Sequence, residues 1–414
     1  MSVERDDAPL GGLVVLDLSR ALAGPQAAMM LGDMGARVIK IERPTGDDSR
    51  GWGPPFVGEG ENIESTYFFC ANRNKESITL DLKDERDRDV LCRLVERADV
   101  LIENFRTGVL DRLGFSTVQL HELNPALIIL SITGFGHDGP DSSRPGYDQI
   151  LQGEGGLMSV TGPTADEPTK VGVPIADLLA GMNGAYGVLT ALYERERTGR
   201  GRVVRTSLLA AVVGAHAFQG TQWTVGREVP TTAGSHHPAI APYGLFRTAS
   251  APIQVACGSE SLWKAFATAV GLDPADPRFA LNQQRVELRT ELTGEIEALF
   301  EKRPAEHWLK VLATAGVPSG MVRSLDEVYK WDQTISQGLL IEVDHATQGI
   351  LSLPGPTIRF DDNTHAGGQR THLAPPTLGQ HNASVKSWLE EPLMNGRRAR
   401  PDSALRSSDT LCNW

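Results

Sequence analysis

The feature that most constrains this chain is a strand–helix–strand signature near its start. Residues 13–18, L-V-V-L-D-L, form a short apolar run. S-R-A-L-A-G-P-Q follows, then A-A-M-M-L-G-D-M-G-A with helical spacing, then R-V-I-K-I-E at 37–42. Two buried strands joined by a helix within about thirty residues make a βαβ unit, which requires a parallel pair. Pro25 suits the first turn of that helix, where a missing N–H costs little. The alternation continues with S-I-T-L-D-L (77–82), a helix over 84–98, A-D-V-L-I-E-N-F (98–105) and A-L-I-I-L-S-I-T-G (126–134). Such alternation predicts an α/β fold built on a doubly wound parallel sheet.

A long helical stretch opens at Asp177 and ends at T-G-R-G, where Gly199 fits a C-terminal cap. Leu178, Met182, Ala185, Leu189 and Leu192 fall on one of its faces. The style changes after about residue 225. Y-G-L-F-R-T-A and I-Q-V-A-C-G read as antiparallel strands, followed by helices near 261–270, 286–302 and 304–315. I-E-V-D-H and I-L-S-L-P-G-P read as a later hairpin, and the tail after about 390 is polar. The expected division is a large domain over 1–220, a small α+β domain over 226–325, and a return to the large domain over 330–414.

Charge and composition narrow the function. With 40 basic and 52 acidic side chains the formal charge is −12, which disfavours a nucleic-acid partner. The charged start lacks the apolar segment of a secretory signal, and the apolar runs at 125–132 and 207–214 are far short of a membrane span. Cys70, Cys92, Cys257 and Cys412 show neither metal spacing nor a disulfide framework, as expected of free thiols in the cytoplasm.

Asp177, in V-P-I-A-D-L-L-A-G, is the first candidate. Asp at a helix start is a good N-cap. The same position suits a carboxylate that is ionised at pH 7 and attacks an activated acyl group without a histidine base or a metal. The two roles are compatible. The Ser19–Pro25 loop lies where a βαβ unit binds a nucleotide, although G-x-G-x-x-G is missing. Glu42 stands where ribose is often held, but reads as a solvated strand end. Lys40, Arg43, Lys83 and Arg112 read singly as solvated charges and together as a set for the phosphates of one cofactor. His236 and His237 form a histidine pair with no third ligand at metal spacing, so no metal is expected. No G-x-S-x-G, P-loop or H-E-x-x-H occurs.

Taken together, several stretches resemble the family III CoA-transferases, the group of formyl-CoA and carnitine CoA-transferases. They are A-G-P (23–25), V-I-K-I-E-R-P (38–44), N-R-N-K-E-S-I-T-L-D-L-K (72–83) and D-V-L-I-E-N-F-R-T-G-V-L-D-R-L-G-F (99–115). G-F-G-x-x-G-P (134–140), R-P-G-Y-D (144–148), A-D-L-L-A-G (176–181) and T-G-R-G (198–201) continue the series, and L-G-Q-H (378–381) is a fainter echo. The resemblance implies that Asp177 is the nucleophile, forming a mixed anhydride and then an aspartyl-CoA thioester. It implies CoA contacts from Arg20, Leu22 and Ala23, from Arg43, Leu80 and Lys83, and from Asn104, Phe105, Arg112 and Tyr147. It also implies a Rossmann-like large domain built from both chain ends, a small central domain and an interlocked homodimer. The substrates would be an acyl-CoA and a small carboxylic acid.

Two departures bear on the substrate. Arg20 and Leu22 stand where formyl-CoA enzymes carry His and Gln, and the small domain has no run of four glycines. A formyl/oxalate pair is therefore not expected. G-S-H-H-P-A-I-A-P-Y-G-L-F is closer to relatives that handle succinate, mesaconate or itaconate, with Arg20, His236 and His237 meeting a distal carboxylate. An α-methylacyl-CoA racemase of the same fold is the nearest rival. Such enzymes carry a His-Asp pair where this chain has Tyr147-Asp148, and tyrosine is a poor base at pH 7. A non-catalytic CoA-binding protein and a nicotinamide oxidoreductase are the remaining alternatives.

Overall fold

The structure is a computed structural model that describes residues 8–360, 367 and 371–392. The polar tail expected after 390 therefore lies, from residue 393 on, outside the described residues. The chain divides into two compact units. The first comprises residues up to 156, 172–220 and those from 332 on; the second comprises 157–171 and 221–331.

The first unit follows the alternation in the sequence. Its leading elements are β1 (Val14–Asp17), α1 (Ala23–Asp33), β2 (Arg37–Glu42), α2 (Thr66–Phe69), β3 (Lys75–Thr79), α3 (Glu85–Arg97) and β4 (Val100–Glu103). β5 (Ile128–Thr133), α4 (Asp148–Glu154), α5 (Ile175–Thr198) and β6 (Val203–Ser207) follow. The six strands form one sheet in the order β3-β2-β1-β4-β5-β6, every pair parallel. The chain winds outward from β1 in both directions. The topological switch point therefore lies between β1 and β4, where ligands of such sheets bind at the carboxyl ends of the strands. Strands β1, β4 and β5 are buried along their whole length, as expected of a sheet covered on both faces.

α5 is long and apolar enough to span a membrane by length and composition alone. Here much of that character goes into packing. A Cβ at Gly181 would lie 2.7 Å from the Ala23 carbonyl oxygen, at Gly184 2.9 Å from Leu130, and at Gly187 2.6 Å from Val204. The glycines let the helix lie directly on α1 and the sheet. Its buried residues include Ala176, Ala180, Gly184, Ala185 and Val188. Met182 and Leu189, aligned with Leu178 and Leu192 by spacing, are exposed instead. Small residues make up most of the packed face, with Val188 and Leu192 beside them, because close approach is what buries it. Gly199 ends the helix in a left-handed conformation, with its N–H on the Arg195 carbonyl.

The chain's late segments return to this unit. Leu340–His345 pairs with Gly349–Pro354 as an antiparallel hairpin. The edge strand β3 is covered by L-G-Q-H and the helix Asn382–Glu390. His381 Nδ1 accepts from the Ser77 amide at 3.1 Å, and Asn382 Oδ1 from the Thr79 amide at 2.9 Å. Pairing a sheet edge with side chains removes a site of aggregation.

The second unit has a three-stranded antiparallel sheet in which Ile253–Ala256 lies between Tyr243–Phe246 and Ser319–Met321. Helices Glu260–Val270, Arg289–Phe300 and Ala305–Thr314 pack on it through Trp263, Phe266, Phe300 and Trp308.

Candidate active site

Two cavities open at the switch point of the first unit. One, of about 280 Å³, is lined by Arg43, Leu80 and Lys83. The other, of about 390 Å³, is lined by Ala23, Asn104, Tyr147 and Asp177. Arg20 and Phe105 line both. Asn104, just beyond the end of β4, grips the loop after β1. Its Oδ1 accepts from the Arg20 amide and its Nδ2 donates to the Arg20 carbonyl, each at 2.8 Å. The Arg20 guanidinium stands 5.2 Å from the Phe105 ring centroid.

Asp177 is not the cap of its helix. It is the third residue of α5, and the cap position is Pro174, which offers no side-chain acceptor. The capping carboxylate comes from Asp148 at the start of α4. Its Oδ1 accepts from the Ala176 amide at 2.8 Å and the Asp177 amide at 3.3 Å, while Gln152 Nε2 donates to its Oδ2 at 2.7 Å. The two roles weighed for Asp177 thus fall on two residues. The Asp177 carboxylate is left without a hydrogen-bond partner among the described residues. Burial, and secondarily the Asp148 charge, push it up to about 7. It is therefore only partly ionised at neutral pH, contrary to the expectation for a helix start.

Other expected residues fall variously. Arg43 donates to the Gly46 carbonyl and pairs with Asp48 at the surface. Lys83 is exposed on the smaller cavity's rim. Leu22 is buried and lines neither cavity; Arg112 is exposed and also lines neither. Lys40 is no solvated charge. It is fully buried, 2.9 Å from Asp47 and 3.9 Å from Asp17, on the wall of the smaller cavity that Arg43 and Lys83 also line. Glu42 is likewise buried, held by Arg50 at 2.7 Å and by the Ser77 hydroxyl at 2.6 Å. Strand-end charges can be interior when a neighbouring loop folds over them.

His236 and His237 belong to the second unit. Gly244 makes room for the His236 ring, since a Cβ there would lie 2.2 Å from Nδ1. Burial and the nearby Arg289 charge hold His236 below its ordinary value. His237 Nδ1 accepts from the Ala239 amide at 3.1 Å.

Sequence reasoning missed Trp52 and Arg106, both on the larger cavity, and Tyr67, whose ring meets Trp52 edge-on at 4.9 Å. Burial and then the Asp177 charge push the Tyr67 phenol up to about 12, so it is a neutral donor near that carboxylate. Arg106 lies inside the N-F-R run and was open to notice; nothing in W-G-P-P or S-T-Y-F-F signals a site.

The comparisons with known proteins agree with this geometry. The profile of CoA-transferase family III matches residues 10–382. The mouse succinyl-CoA:glutarate CoA-transferase is 36% identical over 380 residues, covering 91% of this chain and 85% of its own. The acetyl-CoA:oxalate CoA-transferase of Acetobacter aceti is 38% identical over 390 residues, covering 93% and 96%. The crystal structure of a CAIB/BAIF family protein from Brucella suis superposes with a TM-score of 0.83 at 38% identity, covering 93% of this chain and 100% of its own. A parallel six-stranded sheet, the family profile over residues 10–382 and relatives that match almost end to end place the chain in CoA-transferase family III, as an enzyme that acts on acyl-CoA.

Proposed function

We propose that this enzyme moves CoA between an acyl-CoA and a short dicarboxylic acid, with Asp177 as the nucleophile. The observation that carries the reading is a carboxylate on a cavity wall with no hydrogen-bond partner among the described residues, facing space that Arg20 and Arg106 also line. An Asp177 oxygen attacks the thioester carbonyl carbon, the C–S bond breaks, and CoA leaves as thiolate. The thiolate then attacks the Asp177 carbonyl carbon of the resulting anhydride. The donor acid leaves as carboxylate, and an aspartyl-CoA thioester remains. The acceptor carboxylate attacks that thioester, and the thiolate returns to the acceptor carbonyl, which frees Asp177. No net proton is taken up or released, so no histidine base is required. Exclusion of water protects the anhydride from hydrolysis.

The dicarboxylate reading draws on the relatives that act on succinate, glutarate and oxalate, and on Arg20 and Arg106, which suit a second carboxylate. Oxalate is the shortest such acid, so the A. aceti relative reopens a substrate that the Arg20 and Leu22 departures had set aside. His236 and His237 remain candidates for substrate contact from the second unit. The first cavity, with Arg43 and Lys83, is the proposed seat of the CoA phosphates. The same reading includes a homodimer. Met182, Tyr186, Leu189 and Tyr193 form an exposed apolar stripe along α5, with Tyr186 74% and Tyr193 72% accessible.

An exchange assay with succinyl-CoA and a panel of mono- and dicarboxylic acceptors tests the reading. Faster turnover of glutarate, mesaconate, itaconate or oxalate than of acetate or butyrate is expected. Consistently better monocarboxylates would refute the dicarboxylate assignment.

A further inference from the structure

A buried charge network that the reaction steps do not use borders the smaller cavity through Lys40 and Asp47 and continues behind it through Asp17 and Lys75. Ala21, in the loop after β1, adopts a left-handed φ of 62°, a conformation that a residue with a Cβ disfavours. Side chains hold the polar backbone atoms of this loop one by one. Asp17 Oδ1 accepts from the Ser19 amide at 3.0 Å, and Lys40 Nζ donates to the Ser19 carbonyl at 3.0 Å. Asn104 holds both polar atoms of Arg20. Asp47 Oδ1 accepts from the Ala21 amide at 3.2 Å, while its Oδ2 lies 2.9 Å from Lys40 Nζ. Lys75 Nζ donates to Asp17 at 2.8 Å and to the Pro25 carbonyl at 2.9 Å.

Asp17, Lys40, Asp47 and Lys75 are all buried. Two lysines and two aspartates inside a core are costly to desolvate, and a hydrophobic set of like volume is often at least as stable. What this set supplies is geometry: apart from the Lys75–Asp17 and Lys40–Asp47 contacts, every hydrogen bond named above ends on the loop after β1 or the first turn of α1. Strain at a non-glycine residue persists where its surroundings over-determine it, typically beside a functional site.

We propose that Lys40 and Asp47 are positioning residues, an ion pair that holds Ala21 left-handed and so fixes Arg20 at the junction of the two cavities before any substrate binds. The proposal rests on the reading of that junction as the reaction site. Lys40 borders the smaller cavity, but its ammonium is fully buried and turned to Asp47 and the Ser19 carbonyl.

The test uses full-length enzyme with Asp47→Ala, Ala21→Gly and the double substitution. Glycine holds a left-handed φ without the steric penalty. Ala21→Gly alone, at a residue that lines the larger cavity, supplies the reference rate for the rescue. Asp47→Ala is expected to lose about five- to thirtyfold in kcat, the factor by which a left-handed L-residue is disfavoured. The double substitution should recover most of that loss. A purely structural ion pair, or a direct contact of Asp47 with substrate, predicts no rescue, and that result would overturn the proposal. Should Asp47→Ala fail to fold, Ala21→Asn and Ala21→Val replace it. They add similar bulk, but Asn tolerates the left-handed region and Val does not. Because Ala21 lines the larger cavity, the two variants are compared with each other: Asn is expected to keep more of kcat than Val, and equal effects would refute the proposal. Hydrogen exchange of the Arg20 and Ala21 amides separates this inference from the functional one. Both amides should be protected in ligand-free wild type, whatever reaction it catalyses. Free exchange there would sink the inference while leaving the transferase reading intact.

Discussion

Asp148 caps the helix that carries Asp177, and its charge adds to the burial that raises the Asp177 carboxylate, so one side chain both positions the other and bears on its protonation. The cap and the nucleophile candidate are separate carboxylates on successive helices of the first unit.

The pH dependence of the reaction follows. Asp177 must be ionised to attack, and it ionises at about 7 in the free protein. The profile of kcat/KM is expected to rise with pH along a limb near 7. Asp148→Asn keeps an oxygen to accept from the Ala176 amide but removes the charge. It should move that limb to lower pH at a stability cost of about 1 kcal/mol or less. A limb that stays in place would show that Asp148 does not act on Asp177.

Stability carries the same signature. The Asp177 value in the folded chain, about 7, lies above its ordinary 3.8. Between the two, the folded protein binds the proton more tightly than the unfolded chain, so stability falls as pH rises through that window. Asp177→Asn removes the dependence. Its melting temperature should gain on wild type from about pH 4 to about pH 7 and then run parallel. Parallel curves throughout would contradict the raised value.

The arginines on the larger cavity should separate acceptor classes. Removing a charge-assisted hydrogen bond costs about 1.5–3 kcal/mol, roughly ten- to hundredfold. Arg106→Met is therefore expected to raise KM for glutarate by that factor and to leave KM for butyrate nearly unchanged. Equal effects on both acids would assign Arg106 to CoA instead.

The exposed stripe on α5 predicts association. Wild type should sediment as a dimer, and Tyr186→Glu combined with Tyr193→Glu should give monomer or insoluble protein. A wild-type monomer at micromolar concentration would refute the interface.

Strands β1 to β5 and helices α1, α3 and α5 were legible because period and length rarely mislead in long alternating segments, whereas the short α2, α4 and β6 left no such signal. The strand order was legible only as a class, since pairing depends on contacts between distant residues. Asp177 stood out because a lone carboxylate in apolar sequence is conspicuous. Its capping by Asp148 did not, because a cap supplied from 28 residues away leaves no local pattern. Lys40 and Glu42 misled for the same reason: their partners Asp47 and Arg50 lie on a loop whose folding over the strand ends is a tertiary event. On α5 the expected face held at Ala185 and Leu192 but not at Met182 and Leu189, because glycines and alanines set where the helix approaches its neighbours.

The most direct test of the central claim is a covalent one. Enzyme is incubated with succinyl-CoA, quenched, digested and examined by peptide mass spectrometry, with Asp177→Ala alongside. The account predicts a CoA or succinyl adduct on the peptide containing Asp177, absent from the variant and lost when hydroxylamine is added, with a hydroxamate left at Asp177. An adduct on another residue, or exchange by Asp177→Ala at the wild-type rate, would contradict it.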